Sequence, residues 1–354
     1  MQNDIHLKTI AGVAILVLII GLINTVRIKE QSVGTNETAA VPVSNNFPRA
    51  DSSFFNFNTP SASSPHTNSA SPQNAILPAP SLHIPAQTSS QNLISASSPR
   101  TQTPTPTNII TADSYLVGNL VTGKIYLEKD PMAVRSIASI SKLVTAMVIE
   151  KKMDSNGQIA MASSSVTGYE QVADIHPGET FAVSDLLTGM LLISSNDAAL
   201  AFANNYGYMA FMSLMNAATK SLGMTQTSFE DPSGLSPENV SSANDLFKLA
   251  RYLYAAELGV LAITKTPEFD LATTTDHDGH NFMNFNPFLY DPHYLGGKTG
   301  RTEAAGETML SIFSLPIKGV NNPIAIIVLH SGQDSRQTDS DLLVGKVLGI
   351  ISNQ

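Results

Sequence analysis

Arg135-Ser136-Ile137-Ala138-Ser139-Ile140-Ser141-Lys142-Leu143-Val144-Thr145-Ala146 is the stretch on which the reading of this chain turns. Ile140, Leu143, Val144 and Met147 recur at helical spacing. Residues three apart share a helix face, so Ser139 and Lys142 meet there, a hydroxyl beside an amine. A serine hydroxyl is a poor nucleophile until an adjacent base takes its proton. Lysine serves as that base only where burial or a neighbouring cation depresses its pKa. No other lysine of the chain has a serine three residues before it. The bare tetrapeptide is better read as an ordinary polar pair on a solvated helix turn, so any further meaning depends on the rest of the chain.

Working outward, the bulk composition sets the frame. The 354 residues suffice for one or two domains. A net charge of −9 and the lack of a basic cluster speak against nucleic acid as a partner. With no cysteine in the chain, disulfides and thiolate chemistry are excluded. The close pair His277 and His280 lies in Asp276-His277-Asp278-Gly279-His280. A Gly-centred polar cluster between strand-like runs reads as a hairpin turn, with a metal site as the alternative; no metal and no organic cofactor is expected.

Ile10 to Ile23 is unbroken apolar sequence, extended by Asn24-Thr25-Val26 before Arg27. That is near the lower limit for a membrane-spanning helix, about 17 residues. No small-x-small cleavage site follows, so residues 1–30 read as an uncleaved signal anchor with its helix at about 10–26. Lys8 precedes this segment, and Arg27 and Lys29 follow it, so the positive-inside rule does not put the C-terminal part outside. The motifs read below do: they make this a single-pass membrane protein with its C-terminal part extracytoplasmic. Residues 31–108 are rich in Ser, Pro, Thr, Asn and Gln and nearly free of charge. Such a segment cannot bury enough apolar surface to offset its ordering entropy, and reads as a disordered tether. As a flexible coil of roughly 80 residues it spans about 50 Å on average.

From Ile109 to residue 354 the composition is globular. Ser114–Leu120 and Lys124–Leu127 read as strands joined at Thr122-Gly123. The Ser139 helix should end near Lys151 and Lys152, where cations suit the C-terminus. Ser184 is expected to cap a helix with Leu186, Leu187, Met190 and Leu191 on its apolar face. A single helical run is expected from Asp197 to about Leu222, closed by Gly223. Asp231-Pro232-Ser233-Gly234-Leu235 is a turn. Ser242 with Asp245 starts a helix through Tyr254. Thr308–Leu315 and Pro323–Leu329 read as strands, and Asp339–Ile351 as a closing helix. Strands at both ends of a helical middle suggest one sheet with an inserted helical region.

Two further motifs follow Ser139-Ile140-Ser141-Lys142 in order: Ser194-Ser195-Asn196 and Lys298-Thr299-Gly300. Ser-x-x-Lys, Ser-x-Asn and Lys-Thr-Gly are the three motifs of penicillin-binding proteins and class A β-lactamases. Leu191 to Ala199, Asp231 to Ser236 with Ser241 to Leu246, and Gly297 to Gly306 resemble the D-alanyl-D-alanine carboxypeptidases, the low-molecular-mass penicillin-binding proteins. The resemblance runs from about Ile109 to the C-terminus. It departs at Ser195, where the family usually has glycine, and at Ile137, where it often has proline.

The resemblance implies an α/β (α+β) fold of the penicillin-binding-protein/β-lactamase type: an antiparallel sheet flanked by helices with an all-helical subdomain, and the site between them. It implies Ser139 as nucleophile, Lys142 as its base and Ser194 as proton relay. Asn196 would bond the substrate backbone. Lys298 would hold the local potential positive and so depress the pKa of Lys142. Thr299 with Lys298, beside Gly300, would bind the substrate carboxylate. The N–H groups of Ser139 and Arg301 would form the oxyanion hole. Arg336 either reaches the carboxylate or is a surface arginine. The implied substrates are peptidoglycan stem peptides ending in D-Ala-D-Ala, with β-lactams as inhibitors. D,D-endopeptidase, class A β-lactamase and an inactive wall-binding module are the alternatives. The β-lactamase needs a glutamate in a Glu-x-x-Leu-Asn setting, which Glu230, Glu238, Glu257 and Glu268 all lack.

Overall fold

The computed structural model describes residues 109–166, 175–317 and 319–352. The expected anchor and tether, within residues 1–108, lie outside the described residues. In chain order the elements are β1 (Ser114–Asn119), β2 (Ile125–Lys129), β3 (Arg135–Ser136), a 3-10 turn (Ala138–Ser141), α1 (Lys142–Lys152), β4 (Gln158–Ala160) and β5 (Thr180–Ala182). Then come α2 (Val183–Leu192), α3 (Asn196–Tyr206), α4 (Tyr208–Ser221), β6 (Val240–Ser241), α5 (Ala243–Ala256) and α6 (Leu258–Lys265). The chain closes through β7 (Glu268–Leu271), β8 (His280–Met283), β9 (Tyr294–Thr302), β10 (Gly306–Ile317), β11 (Val320–Ser331) and α7 (Arg336–Ser352).

One five-stranded antiparallel sheet has the order β2-β1-β11-β10-β9, so strands from both ends of the domain pair at its centre. Ser114–Asn119 runs against Leu329–Ile324. The sheet is covered on both faces. Leu116, Leu310, Ile312, Ala325 and Ile327 join the core shared with the helical region. Val117, Met309, Phe313, Ile326 and Val328 pack with Leu343, Val347 and Ile351 of α7. Two buried faces explain why β11 reads as a continuous apolar run from Ile324 to Leu329 rather than as an alternation.

Several boundaries differ from the sequence reading. Ser139 sits in the 3-10 turn, and the α-helix begins only at Lys142. Ser184 is not the cap of α2: that position is Ala182, which makes no side-chain cap, and the Ser184 hydroxyl turns to Asp185 (3.3 Å). The expected run 197–222 is two helices, broken at Gly207, whose φ of 100° leaves the helical basin. α6 and β9 were not expected as elements, and α7 starts three residues early. The capping of α5 is as read: Ser242 Oγ accepts from Asp245 N–H at 3.2 Å.

His277 and His280 flank the β7–β8 turn. His280 Nε2 lies 2.9 Å from Glu179 Oε1, and the same carboxylate accepts the His176 and Asp278 N–H groups. The His277 ring stacks on Phe181 at 4.8 Å. The pair clasps β5 to the β7–β8 hairpin. Among the described residues no helix is long and apolar enough to cross a membrane.

Candidate active site

The turn that carries Ser139 is held from three sides. Ile137 N–H donates to Asn239 O (3.0 Å), a bond proline could not make at this position. Ile137 O accepts from Thr308 Oγ1 on β10 (3.1 Å). Ala138 takes a φ of 49°, unusual for a residue with a Cβ, and Ser141 Oγ donates to Ala138 O (2.8 Å). The turn leaves Ser139 half-exposed at the mouth of α1, while Lys142 one turn on is fully buried.

Lys142 Nζ lies 3.0 Å from Ser139 Oγ, 2.7 Å from Asn196 Oδ1 and 2.7 Å from Ser233 O. Burying an amine without partners is costly, and here oxygens surround it. Asn196 opens α3. Ser195, the departure from the family's glycine, caps that helix by accepting from Ala198 N–H (3.1 Å). Ser194 occupies the turn between α2 and α3 in the left-handed region, φ 59°. Such a conformation in a non-glycine residue costs on the order of 1–2 kcal/mol and is a known mark of functional sites.

Lys298, Thr299 and Gly300 lie on β9, the edge strand. A Cβ at Gly300 would fall 2.9 Å from Ile137 O and 3.0 Å from Ala138 Cβ, so a glycine is what lets the strand touch the nucleophile turn. Gly297 N–H donates outward to Thr264 Oγ1 of α6 (3.0 Å). By the two-residue period of a strand, the N–H groups of Thr299 and Arg301 face the same free edge. Among the described residues the hydroxyls of Ser194 and Thr299 make no hydrogen bond. Lys298 is buried, with Nζ on Thr299 O (3.1 Å). Burial, reinforced by the charge of Arg336, pulls its pKa down to about 7. Arg336 is half-buried and donates from Nη1 to Gly300 O (3.0 Å). The Arg301 side chain is 60% exposed and turns to Glu307 and Asp334, 3.8 Å from each.

The structure therefore joins Ser139, Lys142 and Asn196 directly, and packs Gly300 and its neighbours beside them. Sequence reasoning missed the Ser233 carbonyl and its loop. Asp231-Pro232-Ser233-Gly234 reads as a turn, and nothing in a turn signal says that one of its carbonyls meets a lysine 91 positions away. A cleft of about 520 Å³ continues from the far end of β9, lined by Leu235, Pro237, Thr302, Glu303 and Ala304.

A serine with a buried lysine three residues on, a Ser-x-Asn turn and a Lys-Thr-Gly edge strand on an antiparallel sheet define a serine hydrolase of the penicillin-recognising class. Residues 100–329 match the D-alanyl-D-alanine carboxypeptidase family, peptidase S11. The chain is 32% identical over 254 residues to a D-alanyl-D-alanine endopeptidase of Escherichia coli K12, covering 68% of this chain and 80% of that one. It is 32% identical over 217 residues to the D-alanyl-D-alanine carboxypeptidase DacF of Bacillus subtilis, covering 58% and 54%. A crystal structure of a D-alanyl-D-alanine carboxypeptidase from Mycobacterium tuberculosis H37Rv superposes with a TM-score of 0.62 at 25% identity, over 71% of this chain and 94% of that one. The chain belongs to the D-alanyl-D-alanine carboxypeptidase family and is a serine D,D-peptidase of peptidoglycan.

Proposed function

We propose that the chain is a D-alanyl-D-alanine carboxypeptidase. Ser139 Oγ attacks the carbonyl carbon of the penultimate D-alanine while Lys142 takes the hydroxyl proton. The N–H groups of Ser139 and Arg301 receive the developing oxyanion. The C–N bond breaks as Ser194 passes a proton to the leaving amine. Water then hydrolyses the ester on Ser139, releasing the shortened peptide. Asn196 holds the base and the substrate backbone. Lys298, Thr299 and Arg336 receive the terminal carboxylate beside Gly300. The acyl part of the peptide runs along β9 toward the Thr302–Ala304 cleft.

One observation carries the reading: a fully buried lysine amine 3.0 Å from a half-exposed serine hydroxyl, its other sides filled by acceptor oxygens. Two cations flanking Gly300 support a carboxylate at the other end of the scissile residue. Pentapeptides with a free C-terminus should be cleaved much faster than the same peptides amidated there, with D-alanine as product. Equal rates on both would remove the carboxylate role. Intact-mass analysis with penicillin should show one adduct, on Ser139. Labelling that survives Ser139→Ala would overturn the nucleophile.

A second reading is a D,D-endopeptidase, the activity in the name of the E. coli relative. Where the leaving amine of a cross-link sits on a carbon that also bears a carboxylate, the two cations serve either bond. The bulk of the leaving group is what differs. Faster turnover of cross-linked dimers than of free pentapeptides, in one chromatographic assay, would favour this reading. The tethering belongs to the same proposal: residues 10–26 anchor the chain in a bacterial membrane and residues 31–108 carry the catalytic domain, 109–354, on the outer side. The apolar run and the charge-poor linker support it. Recovery of the full chain in a salt-washed soluble fraction would refute it.

A further inference from the structure

A neutral lysine amine has two hydrogens and one lone pair. Asn196 Oδ1 and Ser233 O, each 2.7 Å from Lys142 Nζ, can only accept. When they take the two hydrogens, the lone pair is left in the third direction, toward Ser139 Oγ at 3.0 Å. The aim of the base thus depends on the Ser233 carbonyl as much as on the Asn196 amide. That carbonyl belongs to a loop of neither helix nor strand, so something else must fix it.

The Asp231 carboxylate does. Its Oδ1 accepts from Ser233 N–H (2.6 Å), Ser233 Oγ–H (2.7 Å), Gly234 N–H (2.7 Å) and, at longer range, Leu235 N–H (3.4 Å). Its Oδ2 accepts from Ser236 N–H (2.6 Å). With these donors gathered on the carboxylate, the loop carbonyls point the other way: Pro232 O takes Thr145 Oγ1–H (2.6 Å) and Ser233 O takes Lys142. The same loop backs the nucleophile. A Cβ at Gly234, φ 89°, would lie 2.0 Å from Ala138 O and 3.0 Å from Ser139 N. Asn239 ties the loop to the turn a second time, accepting from the Glu230 and Asp231 N–H groups and donating to Asp231 O and Ser141 Oγ.

We propose that Asp231 is a positioning residue for acylation: its carboxylate shapes the loop that places the Ser233 carbonyl on Lys142 and Gly234 against the Ser139 backbone. The proposal rests on Ser139 as nucleophile and Lys142 as base. An amide replaces the carboxylate only in part: asparagine keeps one acceptor oxygen but loses the charge that strengthens its four bonds and sets an NH₂ group against the Ser236 N–H. Misplacement of a catalytic group by about 1 Å can cost ~10²-fold in rate.

The test is pre-steady-state acylation of the full chain by a chromogenic β-lactam, with active sites counted by adduct mass. Asp231→Asn should lower the acylation rate constant per titrated site by on the order of 10²-fold, with the β-lactam dissociation constant changed by less than about twofold. Asp231→Glu, which keeps the charge but moves it by one methylene, should lose rate in the same sense. Ser242→Ala, which removes the α5 cap, lowers stability elsewhere and should keep the parental rate constant per site. Parental acylation per site in a folded Asp231 variant would overturn the proposal. So would failure of both Asp231 variants to fold, which makes the residue one of folding alone. If the parent chain forms no ester on Ser139, the nucleophile assignment fails instead.

Discussion

At the scale of the residue, the site holds two lysines in opposite settings. Lys142 lies among acceptor oxygens, and Lys298 is buried beside a second cation. Because burial and Arg336 bring Lys298 down to about 7, it is charged below that pH and neutral above it. In the unfolded chain a lysine stays charged to about 10.4. The depressed value therefore makes folding stability rise with pH between about 7 and 10. Recognition runs the other way. As pH rises from 6 to 8 the cation proposed to receive the substrate carboxylate is lost, so KM for a free-acid peptide should rise by about tenfold. Lys298→Met should flatten that profile, and a flat parental profile would contradict the assignment. With Ser139 and Lys142 acting as the proposed nucleophile–base unit, the Ser139→Ala/Lys142→Ala pair should be little slower than either single variant. Additive losses in log rate would show that Lys142 is not the base for Ser139.

At the scale of the element, β9 is an edge strand that must be fixed without a second neighbour. α6 supplies the missing partner: Thr264 Oγ1 accepts from Gly297 N–H, and its own hydroxyl donates to Leu261 O (2.8 Å). Thr264→Val keeps the shape but leaves a buried N–H unsatisfied, which costs about 1–3 kcal/mol. Denaturant unfolding should show that loss, together with slower acylation, because the freed strand carries Lys298 and Thr299. Unchanged stability would mean that water replaces the hydroxyl. Gly297 has a different task. A Cβ there would sit 2.1 Å from Leu310 O, so Gly297→Ala forces β9 and β10 apart. Overpacking of this kind costs about 1–3 kcal/mol and at times more.

At the scale of the whole molecule, the N-terminal end of the described chain is stitched to its C-terminal helix. Thr111 gives its N–H and its hydroxyl to the two oxygens of Asp339, each at 2.8 Å, and Asp339 is fully buried. A chain beginning at Ile109 should fold cooperatively and keep full activity on small peptides, because both cores lie within residues 109–352. A chain beginning at Asp113 leaves the buried carboxylate without those donors. Hydrogen bonds to charged groups are worth about 1.5–3 kcal/mol each, so it should lose at least about 2 kcal/mol of stability. Equal unfolding midpoints for the two chains would show that water or another donor compensates.

Sequence alone placed Ser139 beside Lys142, because that contact is written in local spacing. Ser139 and Lys142 meet through the pitch of one turn, which holds even though the turn is 3-10 where an α-helix was expected. The cap at Ser242 and the paired end strands were legible for the same reason: each is set by neighbours a few residues away or by a run of apolar residues. The order of three motifs also carried the family. Tertiary structure decided what no local signal encodes. Gly207 breaks a run whose periodicity is continuous, and α6 exists because it covers an edge strand. Arg336 reaches Gly300, 36 positions away in the chain, only because α7 packs on β10 and β11 with its first residue at the β9 side. Ser233 meets Lys142 because a carboxylate two residues earlier turns the loop carbonyls toward α1. Such contacts depend on how layers stack, and a backbone carbonyl has no side-chain signature by which a sequence could announce it.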